Sequence, residues 1–159
     1  YAPYSQAQID QVIALVRDLQ WRHQVKPERI LGHADIGPGR KQDPGPGFPW
    51  KQFADAGLIP WPDPDQVARK RLDHEISPRD MGWVQERLAR IGYNVPRTGL
   101  LDEMTQGVIS TFQMKYRPEN IDGLIDPQTA ALIDVVSTPE FMRIKRADEA
   151  VTKPYTSQF

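Results

Sequence analysis

Between residues 32 and 50, proline and glycine recur so often that no long regular helix or strand can run through the chain. Proline removes a backbone donor and fixes φ, whereas glycine permits tight turns. A loop of this length is usually functional or disordered. The stiff alternation, which ends in Phe48 and Trp50, favours order. The sequence therefore predicts that residues 32–50 form an ordered loop with a functional role.

Short regular elements flank this loop. Residues 5–22 show helical spacing of apolar residues, and Ser5 with Gln8 fits a capping box. Residues 29–31 are a strand candidate directly before His33. Because one strand cannot build a sheet, further strands are expected upstream of residue 1. A short helix is predicted over 50–56, with Gly57 ending it.

The second half of the chain predicts three short helices within residues 77–137. Ser77-Pro78 suits a helix start, and Gly92 suits the end of that first helix. A near-repeat, Gly-x-x-Asp-x-x-Thr, then occurs at 99–105 and again at 123–129. In each copy the Asp suits an N-cap and the Thr a position in the first turn. The repeat therefore predicts two further helices that start in the same way.

Composition excludes several classes of protein. The 159 residues allow one ordinary domain or two small ones. Hydrophobic residues make up 39% and no apolar stretch approaches the roughly 20 residues of a membrane span. With a formal net charge of -1 and no dominant basic block, nucleic-acid binding has no support. The lack of cysteine excludes disulfides and thiol catalysis.

The loop contains the residues that could carry chemistry. His33 and Asp43 are suitable zinc ligands, and catalytic zinc sites use three protein ligands plus water. On these two residues alone, a structural histidine and a turn aspartate before Pro44 would be preferred. Lys41 shifts the balance, since its ammonium could stabilise an oxyanion beside a metal. Arg40 could bind substrate or be solvated.

Residues 32–46, GHADIGPGRKQDPGP, resemble the signature of zinc-dependent N-acetylmuramoyl-L-alanine amidases related to AmpD and phage T7 lysozyme. The likeness is strongest to the AmiD type, in which a peptidoglycan-binding domain follows the amidase. The resemblance implies Zn²⁺ as cofactor, with His33 and Asp43 as ligands and Lys41 assisting catalysis.

The sequence also departs from this family. The family has another histidine ligand near the start of its domain and an upstream glutamate that acts as general base. The remaining histidines, His23 and His74, match neither position and are interpreted as surface or packing residues. The missing ligand and base are expected upstream of residue 1, so this chain alone would be an incomplete enzyme that needs the N-terminal remainder of the same protein.

The second half resembles the three-helix peptidoglycan-binding domain. The resemblance rests on VQERL at 84–88, TGLLD at 98–102, Phe112-Gln113 and DGLID at 122–126. Tyr93, Asn94 and Arg97 are candidates for contacting the glycan, whereas Trp83 is expected to pack. The predicted boundaries are part of an amidase domain at 1–63, a linker with helical content at 64–76, the peptidoglycan-binding domain at 77–137 and an extension at 138–159.

The expected fold is an α/β amidase domain, a mixed sheet with helices of which this chain holds the C-terminal half, followed by an all-α three-helix domain. The expected function is hydrolysis of the amide between N-acetylmuramic acid and L-alanine in peptidoglycan and muropeptides. The resemblance implies a bacterial envelope location, periplasmic and anchored at the outer membrane through an upstream lipidated cysteine. Two alternatives stay open: a non-catalytic peptidoglycan-binding protein or inactive fragment, and an iron enzyme with two histidines and a carboxylate.

Overall fold

The computed structural model describes residues 3–145. Residues 3–145 are mostly helical, with one small two-stranded sheet. Among residues 3–145, no helix has both the length and the apolar character that a bilayer crossing requires. The helices are α1 Gln6–His23, α2 His33–Ile36, α3 Trp50–Asp55, α4 Pro64–Ile76, α5 Met81–Ile91, α6 Glu103–Tyr116 and α7 Pro127–Val136; the strands are β1 Trp61–Pro62 and β2 Met142–Arg143; short 3-10 helices occupy Pro27–Arg29 and Pro139–Phe141.

The described chain forms two compact units. The first comprises the described parts of residues 1–31, 47–61 and 144–159. The second comprises residues 32–46 and 62–143, so that the proline- and glycine-rich segment falls in the same unit as helices α4 to α7.

The first unit is built on α1 and α3. The predicted capping box is confirmed, since the Ser5 hydroxyl accepts from the Gln8 amide and the Gln8 side chain accepts from the Ser5 amide. Ile13 and Val16 of α1 pack against a core centred on α3. That core consists of Trp50, Phe53, Ala54, Leu58 and Ile59.

The strand prediction for residues 29–31 is wrong. Pro27 opens a 3-10 turn instead, in which the Ile30 amide donates to the Pro27 carbonyl over 3.3 Å. Within residues 3–145 the only sheet is the β1–β2 pair, which leaves this segment without a partner strand. His33 therefore does not follow a strand; it begins α2, a four-residue helix inside the stretch predicted to be wholly loop.

The second unit has a core formed by α5, α6 and α7, as predicted. Val84, Leu88 and Phe112 are among its fully buried side chains. Asp102 and Asp126 are confirmed as N-caps and accept from the Thr105 and Thr129 amides. Helix α5 starts later than predicted: Asp80 is its N-cap, whereas Ser77 ends α4. The aspartate wins because its carboxylate accepts from the Trp83 amide over 2.8 Å.

Two buried glutamines hold the repeated turns. Gln85 on α5 accepts from the Gly99 amide and donates to the Thr105 hydroxyl. Gln113 on α6 does the same for Gly123 and Thr129, with distances of 2.8 and 3.3 Å. We call each arrangement a glutamine clasp. Each clasp ties a turn that begins with a left-handed glycine, at φ 72° in both copies, to the helix before it.

Helix α4 extends over residues 64–76, beyond the helical content predicted around 66–72, and packs on α7. His74 is only 2% exposed, and its Nε2 lies 3.2 Å from Asp134 of α7. Its ring lies 5.2 Å from that of the half-buried Trp83. His74 is thus a packing histidine, as interpreted from the sequence. Burial lowers the pKa of His74 despite the opposing effect of Asp134.

Candidate metal centre

Short backbone hydrogen bonds shape residues 33–43 into a closed loop. The Gly37 amide donates to the His33 carbonyl over 2.8 Å, and the Lys41 amide donates to the Gly37 carbonyl over 2.9 Å. The Ala34 amide then donates to the Asp43 carbonyl over 3.0 Å. This last bond returns the end of the loop to its start. We call residues 32–46 the signature loop.

The loop closure brings two predicted site residues into contact. The His33 Nδ1 and Asp43 Oδ2 atoms are hydrogen-bonded to each other. Both side chains are solvent-accessible, 74% for His33 and 60% for Asp43. The hydrogen bond from His33 lowers the pKa of Asp43, and the charge of Lys41 adds to this effect. The carboxylate is therefore ionised at neutral pH, as a metal ligand must be.

The chemistry of this pair suits zinc, which binds imidazole nitrogen and carboxylate oxygen. Within residues 3–145, no cluster of three or more potential ligand side chains occurs. His23 is exposed at the end of α1, and His74 is buried against Asp134. Two residues of the signature loop thus fit a metal, whereas a catalytic zinc site needs three protein ligands.

The two cations of the loop, Arg40 and Lys41, are exposed. The charge of Lys41 contributes to the lowered pKa of Asp43. A lysine ammonium is a group that can stabilise negative charge in a transition state.

Asp35 is the residue of this region that the sequence did not single out. Its side chain is 9% exposed. One carboxylate oxygen accepts from the Tyr93 hydroxyl over 3.1 Å. The other accepts from the Lys115 ammonium over 3.0 Å and from the Gly32 amide over 2.9 Å. Asp35 therefore joins the signature loop to the helical part of the second unit.

The three residues proposed to contact glycan differ in exposure. Tyr93 is 5% exposed, and its hydroxyl is engaged by Asp35. Burial and the charge of Asp35 raise the pKa of Tyr93 well above its usual value. Asn94 and Arg97, by contrast, are exposed. Tyr93 lies inside the fold, which leaves Asn94 and Arg97 as the accessible candidates.

Only some of these contacts could have been predicted from the sequence. Asp35 stands at the third position of a short helix, a place that suits an acidic residue. Its main partner is 80 residues away, so no local pattern indicates Lys115. Gln85 and Gln113 carry a weak signal, since each precedes a Gly-x-x-Asp-x-x-Thr segment.

Comparison with known proteins separates the chain into two parts. Residues 1–46 match the family described as N-acetylmuramoyl-L-alanine amidase. Residues 77–133 match the family of peptidoglycan binding domains. The signature loop lies at the end of the first match, and helices α5 to α7 lie almost wholly in the second.

Relatives of known activity extend over both parts. The N-acetylmuramoyl-L-alanine amidase AmiD of Escherichia coli K12 is 40% identical over 139 residues, which cover 86% of this chain and 49% of AmiD. The chain thus spans about half the length of that relative.

Solved structures agree with this result. The crystal structure of AmpDh3 from Pseudomonas aeruginosa has a TM-score of 0.81 at 33% identity, over 87% of this chain and 55% of that one. AmpDh3 has also been solved with anhydromuramic pentapeptide. The E. coli AmiD complex with anhydro-N-acetylmuramic acid-L-Ala-D-gamma-Glu-L-Lys has a TM-score of 0.77 at 39% identity, over 86% of this chain and 53% of that one.

These matches confirm the predicted fold class: part of an amidase fold followed by a helical peptidoglycan-binding domain. The chain is a homologue of the AmiD and AmpD amidases, and it joins part of an N-acetylmuramoyl-L-alanine amidase domain to a peptidoglycan-binding domain.

Proposed function

We propose that the protein hydrolyses the amide between N-acetylmuramic acid and L-alanine in peptidoglycan and muropeptides, with zinc as cofactor. The observation that carries this proposal is the contact between His33 and Asp43 in a loop that matches the amidase family. The ligands named for the AmpDh3 and AmiD complexes, which are anhydromuramyl peptides, support the substrate class.

His33 and Asp43 would hold the metal. Zinc, when bound, supplies the Lewis acidity that favours hydrolysis of an unactivated amide at neutral pH. Since a catalytic zinc site needs a third protein ligand, we assign that ligand and the general base to an N-terminal part of the same protein. In support, the chain spans about half the length of AmiD.

Lys41 would stabilise the negative charge that builds on the carbonyl oxygen as water attacks the amide. It is exposed two residues before Asp43, and its charge contributes to the lowered pKa of that carboxylate. A group that stabilises an oxyanion typically contributes about 2.7–4 kcal/mol to transition-state stabilisation. Arg40 is exposed beside it and would contact anionic groups of the substrate.

The peptidoglycan-binding domain would keep the enzyme on its polymeric substrate, because linking two binding modules raises the effective concentration of the second. Asn94 and Arg97 are exposed and would take part in that contact. The substrate implies the bacterial cell envelope, and we assign the protein to the periplasm. Attachment to the outer membrane through a lipidated cysteine of the N-terminal part completes the proposal.

The test measures zinc content and muropeptide cleavage by the full-length protein, together with His33→Ala and the control His23→Ala. We expect one zinc per protein, lost with activity on replacing His33 and retained on replacing His23. Removing zinc with a chelator should abolish cleavage, and adding it back should restore cleavage. A wild-type protein that binds peptidoglycan but neither binds zinc nor cleaves would instead be a non-catalytic wall-binding protein.

A further inference from the structure

The signature loop lies directly on the peptidoglycan-binding domain. Helix α2 packs on α6, and the Cα atom of Gly39 lies 3.6 Å from where a side chain on Gly107 would begin. Gly107, Thr111 and Lys115 succeed one another at four-residue spacing, so they line one face of α6. This spacing is ordinary van der Waals contact, so the backbone of the loop packs directly against this face of α6.

A buried ion pair fixes the loop to that face. Lys115 and Asp35 have side chains that are each 9% exposed, and their charged atoms are 3.0 Å apart. Tyr93 donates to the other carboxylate oxygen. Burying a charge is unfavourable unless it is paired and hydrogen-bonded, so each of these groups depends on the others being in place. The attachment is therefore specific to one geometry of the loop.

The same carboxylate is linked to both predicted metal ligands through the backbone. Asp35 accepts from the Gly32 amide and so fixes the start of α2, where His33 is the first residue. The amide of Ala34, which lies between His33 and Asp35, donates to the Asp43 carbonyl. A displacement of Asp35 would thus shift His33 and Asp43 together.

We propose that Asp35, Lys115 and Tyr93 are positioning residues for the metal centre, so that the peptidoglycan-binding domain orders the ligand loop as well as binding the wall. This inference rests on the proposed function for its metal, whereas the ordering of the loop stands on the geometry alone. Residues that support metal ligands typically change metal affinity by roughly 10–100-fold when they are replaced.

The experiment compares Lys115→Met with Arg117→Met in the full-length protein. Arg117 is also a largely buried cation of the same domain, paired with Asp126 at 2.6 Å, and this pair lies outside the signature loop. Both variants lose an ion pair made by a largely buried cation, but only Lys115→Met releases Asp35. Zinc affinity is measured by competition with a chelator, and hydrogen exchange is followed at the amides of Ala34, Gly37 and Lys41.

We expect Lys115→Met to weaken zinc binding by roughly 10–100-fold and to speed exchange at the three loop amides, with Arg117→Met close to wild type in both. Lys115→Arg should restore part of the affinity. Asp35→Asn, which keeps the shape of the side chain but removes its charge, provides a second variant should Lys115→Met not fold. It should also speed exchange at these amides.

Equal effects of Lys115→Met and Arg117→Met would overturn the proposal, because general destabilisation of the domain would then explain them. Unchanged loop exchange in Lys115→Met and Asp35→Asn would also overturn it. If the wild-type protein bound no zinc, the proposed function would be wrong. The hydrogen-exchange comparison would still decide whether the domain orders the loop.

Discussion

In the proposed function Lys41 assists the chemistry without binding the metal, so its replacement tests the two roles separately. Its side chain is exposed, and its charge contributes to the lowered pKa of Asp43. We expect Lys41→Met to lower kcat for muropeptide cleavage by roughly 10²–10³-fold with zinc content unchanged, since an oxyanion-stabilising group contributes about this much. Steady-state kinetics and metal analysis check this.

Lys51→Met is the matched control. Lys51 is exposed, and its ion pair in residues 3–145 is with Asp55 on its own helix. This variant should keep wild-type kinetics. If Lys41→Met turned over substrate as fast as Lys51→Met, the catalytic role of Lys41 would be wrong.

At this scale the sequence predicts what lies within one short segment. His33, Lys41 and Asp43 are ten residues apart at most, and the structure joins the two ligand candidates in a hydrogen bond. Asp35 lies in the same segment, yet its role depends on Tyr93 and Lys115, 58 and 80 residues away. Contacts of that separation are set by packing of helices, which a single sequence does not reveal.

At the scale of helices and turns, the two glutamine clasps stabilise the second unit. Gln113 is fully buried and bonds to Asp122, Leu124 and Thr129 while accepting from Gly123. Replacing Gln113 by Ala removes these side-chain hydrogen bonds and leaves the buried Gly123 amide without its acceptor. We expect Gln113→Ala to lower the free energy of unfolding by about 2–4 kcal/mol, measured by urea denaturation.

The control is Gln106→Ala on the same helix, where the exposed side chain makes one hydrogen bond, to the Asp122 carbonyl. It should change the free energy of unfolding by no more than about 0.5 kcal/mol. A similar loss in both variants would show that the buried clasp has no special contribution.

Helices with strong local signals are the elements that the sequence predicts well. Helix α1 has a capping box and an apolar stripe, and α6 and α7 start at aspartates followed by a threonine at the third position. The strand predicted at 29–31 is wrong because Pro27 begins a 3-10 turn that includes Arg29. Helix α4 was only partly predicted, since its place is set by packing against α7.

For the molecule as a whole, the proposed function predicts different behaviour on polymeric and soluble substrates. We expect the double variant Asn94→Ala, Arg97→Ala to lose about tenfold in activity on intact peptidoglycan, because avidity is reduced. Its cleavage of soluble muropeptides should be unchanged. Arg90→Ala, which removes an exposed cation paired with Glu86 in the same domain, is the control. Equal activity of both variants on the polymer would exclude Asn94 and Arg97 from wall contact.

Because the signature loop packs on α6, only some helical domains could replace this one by recombination. Here an exchanged domain would have to bring its own equivalent of Lys115, since otherwise the carboxylate of Asp35 would be buried without its cation. Chimaeras that keep residues 32–46 but import a foreign helical domain should therefore fail, unless that domain carries a cation at the place of Lys115.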